Sequence, residues 1–348
     1  MSQAKKKEKK IKCVVWDLDH TLWNGVLLED RNVQLREGLL EIIKELDNRG
    51  ILQSIASKNE HNTTMAKLEE FGIAEYFLYP HINWNSKSSS IKNIVTSLNI
   101  GMDTIAFVDD QPFEREEVSF ELPDVFCWDA ADVHAMLDLP EMTPTFITED
   151  SKKRRHMYMS DIERQKVEEE FTGPQEEFLA SLEMVLKISK VGSDDLQRAE
   201  ELTVRTNQLN TTGYTYSYEE LDALRQSDQH KLMIVELQDK YGEYGKIGLV
   251  LIECGEQDWK IKLLLMSCRV MSRGVGSILM NHILQLAHQH NVRLLAEFVK
   301  TDRNRMMYVS YKFAGFKEVE ENGDHVLFEA DLSRVQPFPD YVKVHVLD

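Results

Sequence analysis

From residue 11 the chain alternates short apolar runs with amphipathic stretches. IKCVVW (11–16) is almost continuously apolar and rich in β-formers, the pattern of a buried parallel strand. Residues 35–48 carry helical spacing through Leu39, Leu40, Ile43 and Leu46, and Asn48-Arg49-Gly50 closes that helix on a glycine. ILQSIASKN (51–59) predicts a second strand, and helices are expected around 62–71 and near 88–98. TIAFVDD (104–110) predicts another strand that ends on carboxylates. Strands separated by helices imply βαβ units and a parallel sheet.

The rhythm changes at about 128, where the chain becomes charged and helical, with a basic run at Lys152–Arg155 and an acidic one at 168–171. It resets at Leu182. A strand (183–191) leads into a helix (194–209), and strands follow at 231–237, 246–254 and 258–266. A glycine loop, RVMSRGVG, opens a helix at 278–290. A strand at 293–299, a helix at 303–315 and a strand at 325–332 complete the pattern. The expected organisation is a basic tail (1–10), an α/β parallel-sheet domain (11–130), a helical connector (131–180) and an α+β domain (181–348). A chain of 348 residues is long for one core, which agrees with two domains.

Charge narrows the classes. A formal net charge of −18 argues against nucleic acid bound through a basic footprint. No apolar run has the length of a membrane span, and the tail MSQAKKKEKK lacks the apolar core of a signal peptide. The four cysteines, Cys13, Cys127, Cys254 and Cys268, form no CxxC pair. Reduced thiols in a cytoplasmic protein are the simpler reading than a disulfide frame.

The carboxylates at the strand ends carry the chemistry. In Asp17-Leu18-Asp19-His20-Thr21 the first carboxylate sits where a strand runs out, placed to attack phosphorus. The second, two residues on, is placed to protonate the leaving oxygen and then to activate water. Mg2+, a hard cation for oxygen ligands, would screen the carboxylates from the phosphate. Asp17, Asp19, Asp109 and Asp110 are the candidate metal ligands. Thr21, Ser57, Lys58 and Lys87 are candidate phosphate contacts, as hydroxyl donors and point charges. In open α/β sheets ligands bind at this carboxyl edge. Cys13 is expected in the core, roughly 13 Å up the strand from Asp17 at about 3.3 Å per residue.

Asp17-Leu-Asp19-His-Thr21, Ser57, Lys87 and Asp109-Asp110, in that order, resemble the four motifs of the haloacid dehalogenase superfamily. The resemblance implies Asp17 as nucleophile and metal ligand. It implies Asp19 as acid/base, giving its backbone carbonyl to the metal, and Ser57 and Lys87 as phosphoryl contacts. WDLDHTLW, IASKNE, INWNSKS, FVDDQPFERE, RTNQLNTT and LLLMSCRVMSRGVG together resemble the FkbH-like branch over nearly the whole chain.

The second domain resembles the GNAT-type acyltransferases. Arg273-Gly274-Val275-Gly276 lies between a strand and a helix, where backbone N–H groups cradle phosphate. Met271 stands where that pattern has Arg or Gln, a departure that suits a carrier-protein phosphopantetheine better than coenzyme A. Arg273, Gly274, Gly276, Asn304 and Tyr308 are the candidate pantetheine contacts. Cys268, beside Arg269 and near a helix start, is the candidate acyl acceptor. Asn207, Gln208 and Asn210 in RTNQLNTT read either as helix caps or as a polar wall facing an acyl group. His282, His288 and His290 read as surface residues.

The FkbH-like resemblance implies a glyceryltransferase. It would load D-glycerate from D-1,3-bisphosphoglycerate onto the phosphopantetheine thiol of an acyl carrier protein in polyketide-type biosynthesis. The carrier protein would dock on the basic run Lys152–Arg155. The alternative is a magnesium-dependent phosphatase for a small phosphoester, whose second domain serves recognition.

Overall fold

The computed structural model describes residues 10–30 and 32–347, so most of the expected basic tail (1–9) lies outside the described residues. The chain divides into two compact units, Met1–Met159 and Ser160–Asp348. Residues 131–180, expected as a connector, are shared between them: 131–159 belong to the first unit and 160–180 to the second. The division falls within one helix, α6 (Arg154–Glu170), which follows the single turn α5 (Glu149–Lys152).

The first unit is built on five parallel strands, β1 (Cys13–Trp16), β4 (Leu52–Ser57), β5 (His81–Ile82), β6 (Ile105–Asp109) and β7 (Phe126–Asp129). Their order is β5-β4-β1-β6-β7, which puts β1 at the centre. Every side chain of β1 is buried, as a strand covered on both faces requires. Helices α1 (Leu39–Asn48), α2 (His61–Glu70), α3 (Lys87–Leu98) and α4 (Pro112–Glu121) separate the strands. α1 buries Leu39, Ile42, Ile43 and Leu46, one face of a 3.6-residue period. Its terminator Gly50 adopts φ +66, and a Cβ there would meet the Arg154 guanidinium at 2.2 Å. A two-stranded ribbon, β2 (Trp23–Asn24) with β3 (Gln34–Leu35), lies between β1 and α1.

The second unit is an eight-stranded mixed sheet ordered β13-β14-β12-β11-β10-β9-β8-β15. Its strands are β8 (Met184–Lys190), β9 (His230–Asp239), β10 (Gly242–Cys254), β11 (Asp258–Met266), β12 (Arg293–Val299), β13 (Phe316–Asn322), β14 (His325–Ala330) and β15 (Val342–Leu347). Its helices after α7 (Gln175–Ser181) are α8 (Leu196–Arg205), α9 (Tyr218–Arg225), α10 (Val275–Gln289) and α11 (Arg305–Phe313). The fold class anticipated from the sequence, a parallel α/β sheet followed by an α+β sheet, is the one observed. Most pairs in the second sheet are antiparallel, but β15 runs parallel to β8 at one edge, and β11 runs parallel to β12.

That parallel pair is short. β11 and β12 bond only through Asp258–Ile261 and Arg293–Ala296, although both strands run on. Beyond that point their backbone groups turn to residues 209–211. Thr211 N donates to Leu264 O at 3.1 Å, Met266 N to Leu209 O at 2.9 Å and Val299 N to Thr211 O at 2.9 Å. The expected helix over 194–209 stops at Arg205, and the rest of RTNQLNTT becomes this bridging segment.

Two surface expectations are corrected. Of the basic run at 152–155, Arg154 and Arg155 are buried, at 5% and 6% exposure, while Lys152 and Lys153 are exposed. Arg154 donates to Gly50 O, and Arg155 pairs with Asp47 and Glu75, so these two arginines staple the first unit together. His282, expected at the surface, is buried and stacks near Phe338, and burial lowers its pKa. Among the apolar residues of α10, its position falls on the inward face. His288 and His290 are exposed.

Candidate active site

The first site forms where β1, β4 and β6 end. Asp17 follows β1, and its backbone N–H donates to Val108 O on β6. The chain then curls: the carbonyl of Leu18 accepts from the N–H groups of Thr21, Leu22 and Trp23, and His20 adopts φ 56. Arg36 fastens this curl by donating to the carbonyls of His20 and Thr21 and also to that of Ala130. A strand that ends in a tight loop presents its terminal carboxylate outward along the sheet edge, and Asp17 takes that position.

Lys87 stands at the start of α3, capped by Ser86, whose hydroxyl accepts from Ser89 N. Its ammonium is buried between the carboxylates of Asp17 and Asp109, at 3.2 Å from the latter. Carboxylate oxygens of Asp17, Asp109 and Asp110 lie within 4.8 Å of one another. Burial pushes the pKa of Asp17 up, against the opposing pull of Lys87. Burial and then the charge of Asp17 push Asp109 up to about 6. Lys87 is itself raised: burial favours its neutral form, but the two carboxylates outweigh burial.

Three carboxylates against one ammonium leave the cluster short of positive charge. A divalent cation with a preference for hard oxygen ligands fits this donor set, with Asp17, Asp109 and Asp110 as the side chains to hold it. The carboxylate of Asp19 stands outside this trio. Its Oδ1 accepts from Trp23 Nε1 at 2.7 Å and from Leu27 N at 3.0 Å, and its Oδ2 accepts from Asn59 Nδ2 at 2.9 Å.

The candidate phosphate contacts divide. Ser57 is buried at the end of β4 and hydrogen-bonds Asp17. Thr21 is committed to Asp110: its hydroxyl accepts from Asp110 N at 3.1 Å and lies 3.4 Å from Asp110 Oδ1. Lys58 pairs with Glu114 on α4, at 2.7 Å, and neutralises that buried carboxylate. Trp23 and Leu27, four and eight residues after Asp19, and Asn59, forty residues on, are the three donors to Asp19, and none of them was singled out from the sequence. Only the ASKN spacing, which sets Asn59 two residues past Ser57, hinted at one of them.

In the second unit Cys268 follows β11 in a 3₁₀ turn, and its thiol donates to Gln208 Oε1 at 3.5 Å. Asn207 and Gln208 are half-buried, while Asn210 is fully buried. Asn210 Oδ1 accepts from Thr212 N and Gly213 N, and Nδ2 donates to Thr206 O, which answers the open question for this residue: it is a turn-former. Asn304, expected as a pantetheine contact, is buried at 1% exposure. Its Nδ2 donates to Asn210 O at 3.0 Å and Val299 O at 2.9 Å, and its Oδ1 accepts from Thr301 N at 3.0 Å. With both ends of its amide engaged, it clamps the 209–211 segment.

Arg273 is likewise held by Glu168 at 2.8 Å and packs over Phe178, and Arg269 donates to Tyr244 O at 2.8 Å. Tyr308 hydrogen-bonds Glu318. Gly274, the residue before α10, has φ +72, and a Cβ there would meet the Tyr341 hydroxyl at 2.2 Å. At Gly276 a Cβ would meet Met266 Cε at 2.9 Å. Gly274 is therefore required by its backbone conformation, whereas at Gly276 the end of the Met266 side chain would have to move.

Comparison with known proteins agrees with the first site. Residues 3–117 match the family model of haloacid dehalogenase-like hydrolases. No curated protein matches the chain. Among solved structures, the N-terminal part of BF1531 from Bacteroides fragilis, described as containing a phosphatase domain complexed with Mg, is 30% identical. The match covers 43% of this chain and 39% of that one, with a TM-score of 0.33. The chain thus spans well under half of that structure's length. The ribosomal-protein-S18-alanine N-acetyltransferase of Escherichia coli is 13% identical over 44% of this chain and 97% of that one, with a TM-score of 0.34. The N-acetyltransferase PseH of Campylobacter jejuni is 18% identical over 42% of this chain and 97% of that one, with a TM-score of 0.30. Among the described residues no helix is long and apolar enough to cross a membrane.

Proposed function

We propose that the first unit is a magnesium-dependent phosphohydrolase acting on a phosphomonoester. The observation that carries this reading is the trio Asp17, Asp109 and Asp110, the first two buried and paired with Lys87. When bound there, Mg2+ would supply charge neutralisation between the carboxylates and the incoming phosphate. Asp17 attacks phosphorus through a carboxylate oxygen, and the ester P–O bond breaks. Asp19 gives its proton to the departing oxygen. It then takes a proton from the water that cleaves the aspartyl phosphate, so the enzyme is restored. Ser57 and Lys87 hold the phosphoryl oxygens. Asp17→Asn removes the nucleophile and is expected to cut phosphate release by ~10³-fold or more. Release by that variant at the wild-type rate would overturn the proposal.

A finer reading adds the second unit. The substrate would be D-1,3-bisphosphoglycerate, and the product a glyceryl thioester on the phosphopantetheine of an acyl carrier protein. The observation that favours it is the half-buried Cys268 thiol at the end of β11, directed at Gln208. The thiolate of Cys268 would attack C1, expel phosphate from the mixed anhydride and form a thioester. The carrier thiol would then displace Cys268, while the first unit hydrolyses the C3 phosphate. Intact-mass measurement after incubation with this substrate should show a glyceryl or phosphoglyceryl adduct that is lost in Cys268→Ala. Phosphate release with no adduct in the wild-type protein would favour the phosphatase with a recognition domain. The side chains of Asn304 and Arg273 are engaged within the unit, so carrier recognition in this reading rests on the glycine loop's backbone and on residues around Cys268, Gln208 among them.

A further inference from the structure

Asp19 is held by more than its own loop. Trp23 and Leu27, from the segment that follows the motif, both donate to Oδ1. That oxygen has its two lone pairs used. Oδ2 receives a single donor, the amide of Asn59, and so keeps one lone pair for a proton. Asn59 comes from a different part of the chain, the turn between β4 and α2. Its same Nδ2 reaches Ser57 Oγ at 3.4 Å, and Ser57 in turn hydrogen-bonds Asp17. One amide thus connects the oxygen that would carry the proton to the residue that would attack phosphorus.

The orientation of that amide follows from chemistry. A carboxylate is an acceptor, so the amide must turn its NH₂ to Asp19. The consequence is that Asn59 Oδ1 is buried and accepts no hydrogen bond among the described residues. The residue as a whole is 2% exposed. A buried carbonyl left without a donor costs about 1–3 kcal/mol. An asparagine kept only for packing would be better replaced by an apolar side chain of the same volume. The position retains a donor despite this cost.

We infer that Asn59 is a positioning residue. It fixes the Oδ2 atom of Asp19 so that the proton passes to and from the leaving oxygen in line with attack by Asp17. The inference rests on the phosphohydrolase reading and adds to it which oxygen of Asp19 acts and what sets its direction. Rotation of the carboxylate would exchange Oδ1 and Oδ2. The pairing of Trp23 and Leu27 on one side with Asn59 on the other prevents this.

The test uses two probe substrates in the full-length protein with magnesium. 4-Nitrophenyl phosphate has a leaving group that departs without a proton, whereas glycerol 2-phosphate has an alkoxide that needs one. Asn59→Ala is expected to lower kcat for glycerol 2-phosphate by about 10–100-fold, within the range of a misdirected general acid. Its KM should stay within about twofold, and the burst rate of 4-nitrophenolate within about threefold, because forming the aspartyl phosphate from this ester needs no proton from Asp19. Asn59→Asp, nearly isosteric but without the donor, should show the same split or a larger one. A structural role would lower the glycerol 2-phosphate rate and the 4-nitrophenolate burst together, and that result overturns the inference. So does a wild-type-like rate on glycerol 2-phosphate in a folded variant. If Asn59→Ala does not fold, Asn59→Asp and Trp23→Phe decide by the same ratio. Asp19→Asn separates the two claims: if it shows the split and the Asn59 variants do not, only this inference fails. If Asp17→Asn turns over both probes, the phosphohydrolase reading fails with it.

Discussion

The two units each bring parallel strands to an end and treat the opening in opposite ways. In the first, β1 and β6 end on Asp17 and Asp109, and the space is kept polar and charged, with a single lysine among three carboxylates. In the second, β11 and β12 part company, and the gap is closed by backbone: residues 209–211 satisfy both strands and Asn304 fastens them. Diverging parallel strands expose N–H and C=O groups that must find partners. The first unit keeps its strands paired to the end, where Asp17 N–H bonds Val108 O, and lines the opening with charged side chains. The other meets the demand internally, with Cys268 half-buried in the turn after β11.

Three perturbations sharpen this contrast. The largest effect is expected in the charged opening. Lys87→Met strands two buried carboxylates, and breaking a buried ion pair typically costs about 3–5 kcal/mol. Thermal melting of the first unit should fall accordingly, and magnesium should recover part of the loss. An unchanged melting temperature would mean that Lys87 does not hold the cluster. Next is the backbone-filled opening. Asn304→Ala leaves the carbonyls of Asn210 and Val299 without a donor, at about 1–3 kcal/mol each. Amide exchange at Thr211, Leu264 and Val299 should quicken, while phosphate release by the first unit stays as it was. Loss of phosphate release would contradict the independence of the two openings.

The smallest effect is one of pH. Asp109 lies at about 6 against an ordinary 3.8, so the folded state binds its proton more tightly than the unfolded chain does. Its contribution to stability is complete below about 3.8 and is lost as pH rises through about 6. In protein treated with a chelator, this group should therefore lower stability between those pH values. Magnesium competes with the same proton, so its stabilising effect should be larger at pH 7 than at pH 4. A magnesium effect independent of pH would remove Asp109 from the ligand set.

Much of the frame was legible because hydrophobic period and strand-end chemistry agree. β12 matches its expected range of 293–299, and α3 starts one residue before its expectation, at Lys87. β13 and β15 were missed because they are edge strands with exposed side chains, so neither shows an apolar run. The end of α8 was misplaced because Thr206–Asn210 can extend a helix by composition, while the open backbone of β11 and β12 pulls the segment straight. In the site, Asp17, Lys87 and Asp109 could be read from motif order. Asn59 could not, because its role depends on which side of a loop faces Asp19. The partners of Lys58 and Arg154 were hidden for a shared reason: the sequence does not reveal Glu114 or the Gly50 carbonyl as buried groups that take a cation.

The outer strand β13 carries Glu318, Glu320 and Glu321 along its exposed length, in a chain whose net charge is −18. Two such edges brought together would oppose Glu320 to its copy and would strip water from the pairs of Glu318 with Lys312 and of Glu321 with Lys300, at a cost in desolvation. The consequence is colloidal. At that margin the sheet carries its own brake on filament growth, written into the residues that pattern-reading passed over.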